Sequence, residues 1–274
     1  MKTFTAIGST VDLSSIDTDA TPGFAGDKRA AEAELAANGA ELGELQERLF
    51  AESRFGGTRK VLLVLQAMDT AGKGGIVRHV VGGVDPQGVR IHGFKAPTEE
   101  EQQHDFLWRV RKQLPPAGVI GVFDRSHYES VLIHRVRSLS TPEEIEERYG
   151  LIVEFERELV ASRTTIIKVM LHISSEEQKV RLQDRLDRPD KHWKYNPGDV
   201  DERMLWPAYQ EAYELAIART ATADAPWHVI PANKKWYARW AVQQLLLEAL
   251  RGLDPQWPKA NYDVEAEKVR LAAT

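Results

Sequence analysis

The sequence predicts an α/β protein built on a parallel sheet with helices on both faces. Three observations carry this. Five short apolar runs, at 60–66, 89–92, 119–123, 165–173 and 227–230, are separated by segments with helical signals. That alternation builds parallel sheets. The longer runs are apolar without a two-residue alternation, as strands buried on both faces are. The first run leads through a glycine-rich turn, 66–75, straight into a helical segment, the setting that a phosphate-binding loop requires.

The elements follow in order. Residues 1–26 are small, polar and turn-forming, with Pro22, Gly23 and Gly26 among them, and read as an extended arm over the surface. Over 27–53 the chain turns rich in Ala, Glu and Leu; Leu35, Leu42, Leu45 and Leu49 share one helical face, and Gly56 and Gly57 end that helix. The first strand, the glycine-rich turn and a helix come next. The second strand precedes a second helix over 99–113, and the third strand ends at Asp124. Thr141-Pro142-Glu143-Glu144 is a capping box with proline at the first helical position, so a helix runs from there to about 160. After the fourth strand, Ser174 three residues before Glu177 opens a helix to about 187. A polar loop over 188–200, a helix over 201–220, the fifth strand and a last helix over 234–250 complete the pattern. Trp206, Trp227, Trp236 and Trp240 are expected in the core or at an interface. No linker splits the chain, which implies one domain over 27–255 and a tail over 256–274.

Composition excludes several classes. Of the 274 residues 42% are apolar and 28% charged, which fits a folded globular protein and excludes disordered or collagen-like chains. The net charge of −5 argues against a general nucleic-acid binder. That charge is uneven. Residues 61–140 carry 10 basic and 8 acidic side chains, whereas 141–177 carry 4 basic and 9 acidic, so an acidic outer helix masks a basic path. The absence of cysteine rules out disulfides, zinc–thiolate sites and thiol catalysis. No run approaches 18 apolar residues and the first residues lack a signal-peptide pattern. The expectation is a cytoplasmic protein with neither a membrane nor a nucleic-acid partner.

The chemistry concentrates in Met68-Asp69-Thr70-Ala71-Gly72-Lys73-Gly74-Gly75. Gly72, Gly74 and Gly75 let backbone N–H groups turn toward an anion, the helix start adds partial positive charge, and Lys73 reaches the same phosphates. Against the usual G-x-x-x-x-G-K-[ST] pattern, Ala67 replaces the first glycine and Gly74 replaces the magnesium-binding hydroxyl. Asp69 inside such a loop would repel phosphate unless a divalent cation lay between them. It is therefore a metal-ligand candidate; its other reading is a cap on the following turn. Asp124, at the end of a neighbouring strand, completes an oxygen-rich magnesium site. Arg125 beside it offers a bidentate fork for phosphate oxygens. Arg181, Arg185 and Arg188 fall at steps of four and three, and with Lys191 lead into a basic, aromatic stretch at 187–195. Such a stretch suits a lid over phosphates. The opposing reading is a solvated charged face, because Asp184, Asp187 and Asp190 nearly balance it. Lys95 follows the second strand at the edge where ligands bind.

Taken together, MDTAGKGG (68–75), GFKAPT (93–98), DFLWRV (105–110), FDRSHYE (123–129), RLDRPDKHWKY (185–195) and APWHVIPANKKWYAR (225–239) resemble the polyphosphate kinase 2 family over residues 25–255. The resemblance implies a P-loop kinase fold like that of thymidylate kinase, a five-stranded parallel sheet flanked by helices with a helical lid at about 181–203. It implies Mg²⁺, with Mn²⁺ as the alternative, on Asp69 and Asp124. Lys73 and Arg125 would contact phosphate, and Lys95 and Glu129 would lie on the nucleotide side. The implied reaction moves a phosphoryl group between inorganic polyphosphate and an adenine or guanine nucleotide, from AMP to ADP or from ADP to ATP. The FDRSHYE wording is similar to members acting on both AMP and ADP. Family members assemble as homo-oligomers, dimers or tetramers. Two rival readings share the loop: an ATP-dependent nucleoside monophosphate or small-metabolite kinase, and a non-catalytic phosphate or nucleotide sensor.

Overall fold

A computed structural model of the chain describes residues 4–6 and 10–274. The strands are β1 (Phe4–Ala6), β2 (Lys60–Ala67), β3 (Val89–Gly93), β4 (Ile120–Asp124), β5 (Thr164–His172) and β6 (Trp227–Pro231). The helices are α1 (Lys28–Ser53), α2 (Lys73–His79), α3 (Glu99–Gln102), α4 (Trp108–Arg111), α5 (Ile133–Val136), α6 (Pro142–Ala161), α7 (Ser175–Asp187), α8 (Gly198–Met204), α9 (Trp206–Thr220), α10 (Lys235–Leu253) and α11 (Val264–Ala272). None of the described helices is long and apolar enough to cross a membrane.

The strand order is β1-β6-β5-β2-β4-β3. The last five are parallel, as the sequence predicts. β1 adds a sixth, antiparallel strand against β6, with Phe4 opposite Val229, which the five-strand expectation leaves out. Of the expected arm over 1–26, residues 1–3 and 7–9 lie outside the described residues.

β2 is central and buried from Val61 to Ala67 because both its faces are covered. Leu62 and Val64 face Ile152 and Phe155 of α6 and Tyr213 and Ile217 of α9. Val61, Leu63 and Leu65 face Leu42 and Leu49 of α1 and Trp240, Leu246 and Leu250 of α10. Each such side chain contributes roughly 1.5–3 kcal/mol by leaving water. Trp227 and Trp240 are core residues; Trp240 packs on Phe24 of the same chain, ring centroids 4.7 Å apart.

Local chemistry sets the helix starts. Asp27 accepts from the Ala30 N–H, Thr141 and Glu144 form the reciprocal capping box, and Ser174 accepts from the Glu177 N–H. Two expectations need correction. The helix over 99–113 is broken into α3 and α4, because the Asp105 side chain accepts from the Leu107 N–H at 2.9 Å and diverts the backbone. The boundary between the loop over 188–200 and the helix over 201–220 also differs. Pro189–Lys194 forms a tight helical turn, α8 begins at Gly198, and α9 restarts at Trp206 with Pro207 in its first turn. In the tail, α11 is exposed along its length.

Beneath the sheet's upper edge lies one buried polar network. The Lys168 ammonium of β5 is fully buried and donates to Glu156 Oε2 at 2.6 Å, Tyr128 Oη at 3.0 Å and the Thr220 carbonyl at 2.9 Å. Tyr128 donates to Glu156 Oε1 at 2.7 Å, and His127 Nε2 lies 3.3 Å from the same oxygen. This network anchors the turn His127–Ser130, which follows Arg125.

Candidate active site

The five parallel strands end at one edge, where open α/β sheets bind ligands. The phosphate loop leaves β2 there and enters α2 at Lys73. Gly72 has φ +122°, a conformation that side chains rarely adopt, and its carbonyl accepts from Gly75 N at 2.8 Å and Ile76 N at 3.1 Å. The N–H groups of Lys73 and Gly74, which precede those two, have no carbonyl one turn back to bond and are available to an anion. A Cβ added at Gly74 would meet nothing within 4 Å, so the space above the helix start is open. Lys73 is nearly buried, its Nζ 3.1 Å from the Ala67 carbonyl that it donates to.

Asp124 ends β4, level with Leu65 of β2 and Gly93 of β3. Arg125 follows at φ +64°, its N–H donating to the Leu65 carbonyl at 3.0 Å, which turns its side chain back over the loop. Its Nη2 donates to Asp69 Oδ1 at 2.8 Å. Burial works against the Arg125 charge, but Asp69, Glu129 and Asp124 outweigh it and hold the pKa above its ordinary value. The guanidinium stays charged.

Two cavities meet at this pair. One, of about 460 Å³, lies over the phosphate loop and is lined by Gly72, Gly74 and Gly75 with the cations Lys73, Arg78, Arg125, Arg185, Lys194, Lys235 and Arg239. Asp124 stands in its wall. The other, of about 560 Å³, has apolar walls from Phe94, Phe106, Leu132, Ile133 and Leu139, with Lys95, Arg109 and Glu129 among its polar groups. Asp69 and Arg125 line both.

Not every expected phosphate ligand reaches a cavity. Arg181 donates to the carbonyls of Thr70, Ala71, Ala232 and Asn233 at 2.7–3.0 Å and to Glu177 at 2.7 Å. Its donors are committed behind the loop, so the expected phosphate contact is corrected to a brace. Arg188 leaves the arginine stripe because α7 ends at Asp187; its extended backbone takes it to Asp190, at 2.8 Å. Lys191 pairs with Asp184. Arg188 and Lys191 line neither cavity. Arg185 lines the cationic cavity while donating to Asp199 Oδ2 at 3.1 Å. The sequence reading missed Arg78, Lys194, Lys235 and Arg239. The four-residue step from Lys235 to Arg239 at the start of α10 is the signal that could have found the last two.

Glu129 is half-buried and accepts from Gln66 Nε2 at 3.2 Å. Burial pushes its pKa up, and the pull of Arg125 and Lys73 does not restore it. The folded carboxyl therefore binds its proton more tightly than the unfolded one. Stability is lost as pH rises from the ordinary glutamate range through the raised value. The variant Glu129→Gln is expected to melt higher than the parent at pH 7 and to lose that advantage near pH 4. Melting curves across that range check this; an advantage independent of pH refutes it.

Among the described residues, no group of three or more His, Asp or Glu side chains is placed to hold a metal alone. The two carboxylates of Asp69 and Asp124 nevertheless suit Mg²⁺, which keeps several waters and shares one or two carboxylates with substrate phosphates.

Comparison with known proteins follows the same direction. The sequence model of the family described as polyphosphate kinase 2 matches residues 25–258. An AMP/ADP-polyphosphate phosphotransferase of Meiothermus ruber is 50% identical over 258 residues, 94% of each chain. An ADP-polyphosphate phosphotransferase of Rhodopseudomonas palustris is 41% identical, covering 80% of this chain and 79% of that one. A crystal structure of polyphosphate kinase 2 from Arthrobacter aurescens TC1 superposes with a TM-score of 0.96 at 58% identity, covering 98% of this chain and 95% of that chain.

Proposed function

The chain belongs to the polyphosphate kinase 2 family, and we propose that its two cavities divide the polyphosphate:nucleotide phosphotransfer between them. The cationic cavity takes the end of the polyphosphate chain, and the apolar-walled one takes AMP or ADP. The observation that carries this is the shared wall: Asp69 and Arg125 face both spaces, so donor and acceptor phosphates converge there.

The nucleotide's terminal phosphate oxygen attacks the last phosphorus of polyphosphate. The bond to the bridging oxygen breaks, and the shortened polyphosphate keeps that electron pair. Phosphate acceptors need no general base, so positioning and charge neutralisation are the main requirements. Lys73, Arg125 and the N–H groups of the loop stabilise the transferring group. A divalent ion on Asp69 and Asp124, with Mg²⁺ the best match to two hard oxygens, would neutralise charge on the phosphate oxygens. Arg185 and Lys194 close the donor side from the lid, and Lys235 and Arg239 continue the cationic wall away from the transfer point. Phe106 and its apolar neighbours take the base. A homo-oligomer of two or four chains belongs to this reading on the strength of the family resemblance.

With polyphosphate and Mg²⁺, ADP is expected to yield ATP and AMP to yield ADP. Arg239→Ala is expected to raise KM for polyphosphate about tenfold and leave KM for the nucleotide within about twofold, as loss of one charge-assisted phosphate contact does. Phe106→Ala is expected to do the reverse. Equal shifts of both constants in either variant would overturn the division. Turnover with ATP as donor and none with polyphosphate would favour a nucleotide kinase instead.

A further inference from the structure

Arg181 is a brace for the phosphate loop, and Asn233 is what fixes Arg181 from the other side. The Asn233 carbonyl accepts from Arg181 Nη2 at 2.8 Å, while Arg181 Nη1 donates to the Thr70 and Ala71 carbonyls of the loop at 3.0 and 2.9 Å. Asn233 in turn is held at three points. Its Oδ1 accepts from the Ser174 N–H at 3.0 Å, where α7 begins. Its own N–H donates to the Thr18 carbonyl at 3.2 Å. Its Nδ2 donates to Thr18 Oγ1 and Asp19 Oδ2, each at 2.9 Å. The next residue repeats the contact, because Lys234 Nζ donates to the Asp19 carbonyl at 2.6 Å. Lys235 and Arg239 of the cationic cavity follow at once on α10, and Tyr237 between them donates to the Pro22 carbonyl at 2.7 Å.

We propose that Thr18 and Asp19 of the N-terminal arm are positioning residues for the donor site: through Asn233 they hold both the Arg181 brace of the phosphate loop and the start of the helix that carries Lys235 and Arg239. The arm is thus part of the machinery that shapes the polyphosphate cavity. The side-chain bonds from Asn233 to Thr18 and Asp19 are made at a partly or fully exposed surface, so removing them leaves both hydrophobic cores intact. A loop freed to shift alters phosphate geometry, and small displacements there are costly to the rate. This inference rests on the donor site being the cationic cavity.

The test compares the full chain with Thr18→Val/Asp19→Ala, which removes both side-chain acceptors, and with Thr18→Ser/Asp19→Asn, which keeps an oxygen at each. The first variant is expected to raise KM for polyphosphate about fivefold and lower kcat, with KM for ADP within about twofold, the size expected for the loss of two side-chain hydrogen bonds that act through a positioning residue. The second should restore parental constants. A melting temperature within about 4 °C of the parent separates positioning from lost stability. Parental kinetics in the first variant, equal changes in both KM values, or failure of the second to rescue would overturn the proposal. Lys73→Ala run alongside tells the two readings apart: parental activity in that variant would mean that the donor-site assignment itself is wrong.

Discussion

Lys73→Ala is expected to lower kcat for ATP formation by about a thousandfold, in the upper range for loss of one preorganised charge donor at a transition state. The residue sits at the first helical position of α2, nearly buried, with its ammonium held over the loop by the Ala67 carbonyl. On the proposed assignment it faces the transferring phosphoryl group from a nearly buried position, so its charge would act in a low dielectric. Among the described residues the side chain makes one hydrogen bond, to the Ala67 carbonyl, so the melting temperature should stay within about 3 °C. Lys73→Arg should not rescue: the planar fork is larger and presents its donors differently from an ammonium. Initial rates with saturating ADP and polyphosphate measure the effect. A residual kcat above about a tenth of the parent's would show that the lysine does not touch the transferring group.

Glu156→Gln is expected to destabilise the fold by about 3–5 kcal/mol, which is the scale for stranding one member of a buried ion pair. Lys168 would keep two neutral partners, Tyr128 and Thr220, and lose the anion it pairs with, Glu156. Burial depresses the Lys168 pKa, and Glu156 pulls it part of the way back. Burial alone would raise Glu156, but Lys168 and His127 outweigh it and hold the carboxyl below its ordinary value of 4.5. A carboxylate of depressed pKa contributes stability that is present above that ordinary value and lost as pH falls through the folded one. The gap between parent and Glu156→Gln should therefore narrow in acid. In a chain of this size the loss at pH 7 corresponds to roughly 6–20 °C in melting temperature. Glu156→Leu/Lys168→Met, which removes both charges, should recover much of it. A single variant melting within about 2 °C of the parent would mean that the ammonium finds other compensation.

What the sequence made legible was what depends on neighbours along the chain. The caps at Thr141 and Ser174, the glycine turn at Gly72 and the apolar runs are local signals, and each stands where expected. Asp69, Lys73, Asp124 and Arg125 come together because adjacent parallel strands end at one edge, so naming the strands was enough to join residues more than fifty positions apart. The misreadings have a common cause. A stripe of arginines at helical spacing does not say which neighbour the stripe faces, and Arg181 faces carbonyls. Lys168 hides inside an apolar run because its partners arrive from α6 and α9. Lys235 and Arg239 acquire a role only when α10 is laid beside the phosphate loop.

The apolar walls of the acceptor cavity have a consequence for how two substrates of unequal length are served. AMP and ADP differ by one phosphate, yet the attacking oxygen of either must arrive at the same place beside Asp69 and Arg125. If the reacting end is fixed, the nucleoside has to sit at two depths. Phe106, Leu132, Ile133 and Leu139 line that cavity, and in the proposed reading they would grip a base by non-directional contact rather than by a fixed hydrogen-bond register. A ring can slide along such a surface at little cost. On the proposed assignment, then, the enzyme measures its acceptor from the phosphate end, and the base serves as a movable handle rather than as a ruler.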